Sequence, residues 1–102
     1  MVKRKVIWSF NAQNDRKEIL QYWKQRNKSS AYSKKLRKLF GKAITQIAAH
    51  PGIGSPTQIE NVRVKVVRDY LIVYKEFDEQ LYLLAIWDSR RNPELLKKRL
   101  QF

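Results

Sequence analysis

One apolar stripe constrains the fold more than any other feature of this sequence. Between residues 32 and 48 apolar side chains recur every three or four positions, the spacing of one helix face over about five turns. His50-Pro51-Gly52 ends the pattern, because proline disfavours the helical conformation of the residue before it. The stripe comprises Tyr32, Leu36, Leu39, Phe40, Ala43, Ile44, Ile47 and Ala48. Such a helix must bury this face against a second layer.

A first helix is predicted between about residues 11 and 27. Asn11 is its candidate N-cap, and Asp15 and Glu18 fall in the early turns, where the helix dipole favours anions. Its apolar stripe consists of Ile19, Leu20, Tyr22 and Trp23. Ser29 or Ser30 would cap the second helix, and a connection of about two residues predicts an antiparallel helical hairpin.

Four strands are predicted around this hairpin. The first is "KVIWSF" (5–10), and the others are "NVRVKVV" (61–67), "YLIVYKEF" (70–77) and "LYLLAIW" (81–87). In the second strand valines alternate with Arg63 and Lys65, so we expect the valines to face the helices and the two cations to face the opposite side. The last strand is apolar on both faces, which predicts a central position or cover from both sides.

The element order therefore predicts an α+β fold, β-α-α-β-β-β. The helical hairpin would pack on one face of a mainly antiparallel four-stranded sheet, and a short C-terminal helix would follow Asn92-Pro93. A chain of 102 residues predicts a single domain spanning residues 1–102.

The charge of the chain points to an anionic partner. Lys and Arg number 22 against nine Asp and Glu, a net charge of +13, and the first fifty residues hold thirteen of these cations but only two of the anions. Nucleic acid is the first partner to consider, and a protein with an acidic segment is the second. Without cysteine, disulfides and thiolate metal sites are excluded. No apolar stretch approaches the length of a membrane span, so we expect a cytoplasmic protein with no membrane contact.

Basic and aromatic residues of the strands supply the candidate site. We predict catalytic roles for Arg63, Lys65 and Arg90 and target or nucleic-acid contacts for Arg68, Tyr70, Tyr74 and Arg91. Arginine forks bind phosphate and tyrosine rings can stack on bases. Pro93 fixes its own backbone and restricts Asn92, which would hold the paired arginines in a defined pose.

Structural explanations for the same residues stay open. Arg63 and Lys65 could simply solvate a wet strand face, and Tyr70 and Tyr74 suit a strand core. His50 suits a helix C-terminus. The sequence has no glycine-rich phosphate loop, His/Cys cluster or Ser-His-Asp set, so no metal or cofactor is predicted. Any catalysis would rest on Arg, Lys and Tyr.

Several short motifs, in this order, resemble the RelE/ParE superfamily of toxins from bacterial type II toxin–antitoxin modules, a group that includes plasmid stabilisation proteins. They are an early "A..D..EI..YW" helix, the helix end "I..HPGIGSP", "VR" before a hairpin, "Y.I.Y" and the closing "W.SRRNP". The resemblance implies a basic toxin held inactive by a co-expressed antitoxin whose C-terminal segment, expected to be acidic, wraps around it.

The superfamily implies two activities with different targets. RelE-like members cleave mRNA on the ribosome, and ParE-like members poison DNA gyrase. Arg63, Lys65 and Arg90 match the basic residues of the ribonucleases. Leu71, however, stands where they have an arginine, and Leu96 where they have a tail tyrosine. An enzyme of this chain would be a metal-independent endoribonuclease with an incomplete residue set. We therefore favour a ParE-like gyrase poison, with the ribonuclease or a non-catalytic nucleic-acid-binding domain as alternatives.

Overall fold

All the predicted helices and strands form, within a few residues of their expected bounds. The computed structural model describes residues 4–100. In chain order the elements are β1 (Lys5–Trp8), α1 (Phe10–Asn27), α2 (Ala31–Ala49), a 3₁₀ turn (Pro51–Ile53), β2 (Ser55–Pro56), β3 (Val62–Val67), β4 (Tyr70–Glu76), β5 (Gln80–Asp88) and α3 (Pro93–Leu100). This confirms the α+β class and the helical hairpin.

The start of α1 differs from the prediction. Ser9, in extended conformation, is the N-cap, and its hydroxyl oxygen accepts a hydrogen bond of 3.0 Å from the Ala12 amide. Asn11 lies inside the first turn and is not the cap. Ser30 is the N-cap residue of α2, but the Ser29 hydroxyl accepts the hydrogen bond from the Ala31 amide at 3.2 Å.

The sheet has five strands in the order β1-β5-β4-β3-β2. The fifth strand, absent from the sequence prediction, is the two-residue β2, which pairs antiparallel with β3. β1 is parallel to β5, and the other pairs are antiparallel. β5 thus lies between two strands, which confirms the central position predicted from its apolar run.

The hairpin packs on one face of the sheet and forms the larger core cluster. The α2 stripe is confirmed, with Tyr32 and Leu39 only partly buried. In α1 the stripe is shifted: Ala12 and Asp15 are buried, whereas Tyr22 is 51% exposed. The sheet contributes Val67, Tyr70, Ile72, Tyr74, Leu81, Leu83 and Ile86 to this cluster.

A second cluster lies on the opposite face of the sheet under α3. Leu96 and Leu100 of α3 pack there against β-sheet residues, namely Val62, Val64, Val73, Leu84 and Ala85. The expectation that the β3 valines face the hairpin is therefore wrong for Val62 and Val64. Their cover is the short basic helix, and Val66, on the same face, remains 63% exposed. None of the helices between residues 4 and 100 is long and apolar enough to cross a bilayer.

Candidate functional site

A cleft of about 350 Å³ opens where β5 ends, between α1 and the sheet. Tyr70 at the start of β4 lies directly opposite Asp88 at the end of β5, so the two side chains share the hairpin side of the sheet. The cleft is lined by Tyr22, Glu18, Tyr70, Asp88, Arg90 and Arg91, with Asp15, Ile19 and Ile86 completing the wall. Three of the predicted site residues meet here.

Arg90 is held at the mouth of this cleft by Asp88. The Arg90 Nε and Nη2 atoms donate to the two Asp88 carboxylate oxygens at 3.0 and 2.9 Å, and the Arg90 amide donates to Oδ1 at 2.9 Å. The hydrogen bonds from the Arg90 side chain lower the pKa of Asp88, and the carboxylate in turn raises the pKa of Arg90. The Arg90 side chain remains 62% exposed. The site therefore presents an oriented cation to solvent.

Tyr70 forms the inner wall of the cleft. Its ring is buried against Phe40 in an edge-to-face contact of 5.7 Å between centroids, and its hydroxyl accepts a hydrogen bond of 2.8 Å from Trp23 Nε1. Burial raises the pKa of Tyr70 above 10. Loss of its proton is therefore harder than for an exposed tyrosine, which makes the hydroxyl a poor general base.

Arg91 turns away from its neighbour Arg90. Its guanidinium lies 4.0 Å from the centre of the Trp87 ring, and Trp87 alternates in β5 with the hairpin-facing Ile86. The backbone then enters α3, where Asn92 Oδ1 accepts a hydrogen bond of 3.0 Å from the Glu94 amide. With proline as the first residue of α3, this cap defines the start of the helix that follows the two arginines, and the pose expected for them stays a prediction.

Arg63 and Tyr74 form a separate group at the other end of the sheet. Arg63 lies opposite Tyr74 in the β3–β4 ladder, and Tyr74 belongs to the hairpin-side core. The Tyr74 hydroxyl donates to the Pro51 carbonyl at 2.6 Å and accepts from the Gly54 amide at 3.0 Å. Arg63 Nη1 donates to the Gly54 carbonyl at 2.8 Å. Both side chains hold the loop after α2, and Tyr74 is 0% exposed, which leaves it no ring face for a base.

The predicted catalytic cations do not converge. Lys65 lies opposite Ile72 and so faces the hairpin side, like Arg63, rather than the open side expected from the sequence. Arg63 lies opposite Tyr74, whereas Arg90 lies beside Asp88, which is opposite Tyr70. Tyr70 and Tyr74 are four residues apart on β4, so the two arginines are separated by about 13 Å along the strand. The expected geometry of the site is wrong, whereas the roles assigned to these residues stay predictions.

Arg68 belongs to the Arg90 end of the sheet. It adopts the left-handed conformation (φ 57°) in the turn between β3 and β4. The next residue, Asp69, accepts a hydrogen bond of 2.8 Å from the Ser89 amide through its carbonyl, which ties this turn to the end of β5. The prediction that Arg68 lies at the far end of its strand from Arg63 is confirmed. Arg68, Tyr70, Arg90 and Arg91 thus form one end of the sheet.

Comparison with known proteins adds the family to this geometry. Residues 6–93 match the family model described as the ParE toxin of the type II toxin–antitoxin system parDE. The chain belongs to this family. Comparison with curated protein sequences gives no match.

This ParE-family chain also shares its fold with a solved relative. A chain from the chromosomal ParDE toxin–antitoxin system of P. aeruginosa superposes with a TM-score of 0.70 at 15% sequence identity. The superposition covers 82% of this chain and 94% of the other. At this identity the likeness concerns the fold.

The two leucines that depart from the RelE-like pattern lie outside the cleft lining in this ParE-family toxin. Leu71 pairs with Trp87 across the β4–β5 ladder. Leu96 packs in the cluster under α3, so a tyrosine in its place would have to leave that apolar contact to reach the cleft. Within residues 4–100, no three His, Asp or Glu side chains group as ligands for a metal ion.

One polar contact behind the cleft was missed in the sequence. Asp15 is 6% exposed, and its carboxylate accepts hydrogen bonds from Arg99 Nη1 at 3.0 Å and Nη2 at 2.6 Å. It also accepts a hydrogen bond of 3.0 Å from the Ile86 amide. This buried ion pair joins α1, β5 and α3. The residues are 84 positions apart, and Asp15 at an early helical position is explained equally well by the helix dipole, so no sequence signal indicates the pair.

Proposed function

We propose that this chain is the growth-inhibiting toxin of a type II toxin–antitoxin pair and that its target is DNA gyrase. The observation that carries the proposal is the match of residues 6–93 to the ParE toxin family. The cytoplasm, where gyrase works, is the proposed location.

Two features of the structure favour the gyrase target over the RelE-like ribonuclease alternative. Burial raises the pKa of Tyr70, which makes it a poor general base, and Arg63, one of the predicted catalytic cations, is engaged with the Gly54 carbonyl. Since Arg63 lies away from the cleft, and leucines stand where the ribonucleases have an arginine and a tail tyrosine, inhibition by binding is the better explanation. The fixed Arg90 cation and the exposed ring of Tyr22 suit contact with a protein surface.

The proposed partner is an antitoxin with an acidic C-terminal segment. The net charge of +13 favours rapid association with such a segment. The solved relative comes from a ParDE toxin–antitoxin system, in which a toxin is paired with its antitoxin, and we extend that pairing to this chain. Binding of the segment over the cleft would cover Arg90 and Arg91 and thereby neutralise the toxin.

Induction of the chain with and without the neighbouring gene tests the pairing. We expect growth arrest when the chain is induced alone and normal growth when the neighbouring gene is co-expressed. The target is tested by adding the purified chain to gyrase and plasmid DNA, where accumulation of cleaved DNA is expected. Cut mRNA on translating ribosomes without DNA breaks would instead support the ribonuclease. Healthy growth at high yield of the chain would contradict a toxin altogether.

Arg90→Ala tests the cleft. The substitution removes the oriented cation at the mouth of the cleft, so we expect gyrase inhibition to weaken about tenfold or more. Lys97→Ala is the matched control, because Lys97 is 60% exposed and also paired with a neighbouring carboxylate, yet it lies outside the cleft. Equal inhibition by both variants and the unaltered chain would show that the cleft does not contact the target.

A further inference from the structure

A second, strongly basic groove runs between α1 and α2 on their solvent side. It consists of two adjoining depressions of about 670 and 440 Å³, which share Lys17, Leu20 and Arg37. The groove residues on α1 include Lys24, and those at the start of α2 include Lys34. This groove is separate from the cleft at the end of β5, because none of its lining residues contributes to that cleft.

The cations of the groove face no counter-ion among the residues that the structure describes. No carboxylate of this part of the chain lines either depression. Lys17, Lys24, Lys34 and Arg37 are exposed, and the ion pairs found within residues 4–100 involve none of them. A fifth cation, Arg16, stacks on the Trp8 ring at 4.2 Å. The charged side chains that line the groove are therefore all positive.

The acidic residues of the hairpin do not offset this charge. Within α1 and α2 the carboxylates are Asp15 and Glu18. Asp15 is buried in its pair with Arg99, and Glu18 lines the cleft at the end of β5. Neither lines the groove. An approaching polyanion therefore meets four cations, and no carboxylate of α1 or α2 lines the groove to repel it.

We propose that this groove, defined by Lys17, Lys24, Lys34 and Arg37, binds the phosphate backbone of duplex DNA without regard to base sequence. Lysine and arginine are the principal contacts of phosphate oxygens, and serine and glutamine side chains add neutral ones. The groove supplies both kinds, with Gln21, Gln25 and Ser30 among its lining residues. The inference goes beyond the proposed target, because it concerns a different surface and does not depend on gyrase.

The lining favours a duplex phosphate backbone over an acidic peptide or a single strand. Leu20 is the one apolar residue among the described residues that line the groove, so an acidic peptide would find no pockets for apolar anchors. These lining residues include no aromatic ring, so the stacking on which single strands depend is absent from them. Lys17 and Lys24 are seven residues apart, a rise of about 10.5 Å along α1, which equals about three steps of 3.4 Å along one strand of B-DNA.

Fluorescence anisotropy with a labelled duplex of about 20 base pairs and arbitrary sequence tests the proposal as a function of salt. Neutralising four phosphates predicts a slope of about −3.6 in log affinity against log salt, since each contributes about 0.9. In Lys24→Gln/Lys34→Gln we expect the slope to fall in magnitude by about 1.8 and binding to weaken about thirtyfold near 0.15 M salt. The matched control is Lys35→Gln/Lys42→Gln, which removes the same charge from exposed positions of α2 outside the groove.

The outcome is decided by comparison with the Lys35→Gln/Lys42→Gln control and with two other polyanions, an RNA duplex and poly-glutamate. Retention of the slope by the control variant supports a defined groove, whereas an equal loss in both variants reduces the effect to net charge and overturns the proposal. Tighter binding of an RNA duplex or of poly-glutamate through the same two lysines would also overturn it, as would a slope near zero. Growth arrest is measured separately. A groove variant that loses DNA binding but still arrests growth leaves the proposed toxin function intact.

Discussion

The loop after α2 is locked by Tyr74, and this lock predicts which substitution the fold tolerates least. An ideal Cβ placed on Gly54 overlaps the Tyr74 hydroxyl and lies 3.0 Å from two carbons of its ring. The ring is fully buried and cannot withdraw. Gly54→Ala should therefore displace the tyrosine and break its hydrogen bonds to Pro51 and Gly54.

The magnitude follows from overpacking and lost hydrogen bonds. Overpacking costs about 1–3 kcal/mol, and each of the two hydrogen bonds contributes about 1 kcal/mol, so we expect Gly54→Ala to reduce the free energy of unfolding by about 3–5 kcal/mol. Tyr74→Phe alone should cost about 2 kcal/mol, because it leaves a buried amide and carbonyl unpaired. The double variant lacks the overlapping hydroxyl and should lose about 3 kcal/mol, well below the total for the single variants.

Urea unfolding followed by tryptophan fluorescence measures these differences, and Gly54→Ala should also lower the Tm by about 15 °C or more. Gly52→Ala is the control, because no atom lies within 4 Å of a Cβ at that position and its φ is negative. We expect it to be neutral or slightly stabilising. If the free energies of Gly54→Ala and Tyr74→Phe add to within about 0.5 kcal/mol, the two residues do not share the contact and the reasoning is refuted.

The same lock separates a structural from a catalytic role for Arg63. Its guanidinium supports the loop through the Gly54 carbonyl. Arg63→Gln should thus lower stability by about 1–2 kcal/mol, while inhibition per folded molecule stays unchanged. If Arg63→Gln instead lost activity while keeping the stability of the unaltered chain, the catalytic role predicted for Arg63 from the sequence would be supported.

Two further predictions concern stability. Arg99→Met leaves the Asp15 carboxylate buried with only the Ile86 amide as partner, so it should lower the free energy of unfolding by about 3 kcal/mol in urea unfolding. Adding Asp15→Asn removes the unpaired charge and should recover part of this loss. No recovery would contradict the explanation by an uncompensated charge. Burial raises the pKa values of Tyr70 and Tyr74 above 10, so the unfolded chain ionises first. Stability should therefore be full below pH 10 and, for each tyrosine, fall by up to about 1.4 kcal/mol per pH unit between its unfolded and its folded pKa; an unchanged slope in Tyr70→Phe would argue against this.

The sequence predicts elements well because the apolar periods are long and unbroken. The α2 stripe and the apolar β5 run needed no tertiary information. The sequence gives no signal for β2, because a Ser-Pro pair has no strand pattern. It forms a strand only because β3 lies beside it. Asn11 and Ser9 are both good caps, and only the path of the chain out of β1 selects Ser9.

The site was harder to predict than the fold, because an alternating strand shows which side chains share a face but not which face it is. The apolar character of β5 on both faces required a second covering layer, and the segment that supplies it is α3 through Leu96 and Leu100. Once that helix covers Val62 and Val64, the intervening Arg63 must face the hairpin. The same alternation places Asp88 beside Tyr70, and Arg90 follows it to the end of the sheet. The convergent surface of this fold is therefore the end of the strands rather than a face of the sheet, which is why Arg90 and Arg63 should respond differently to substitution.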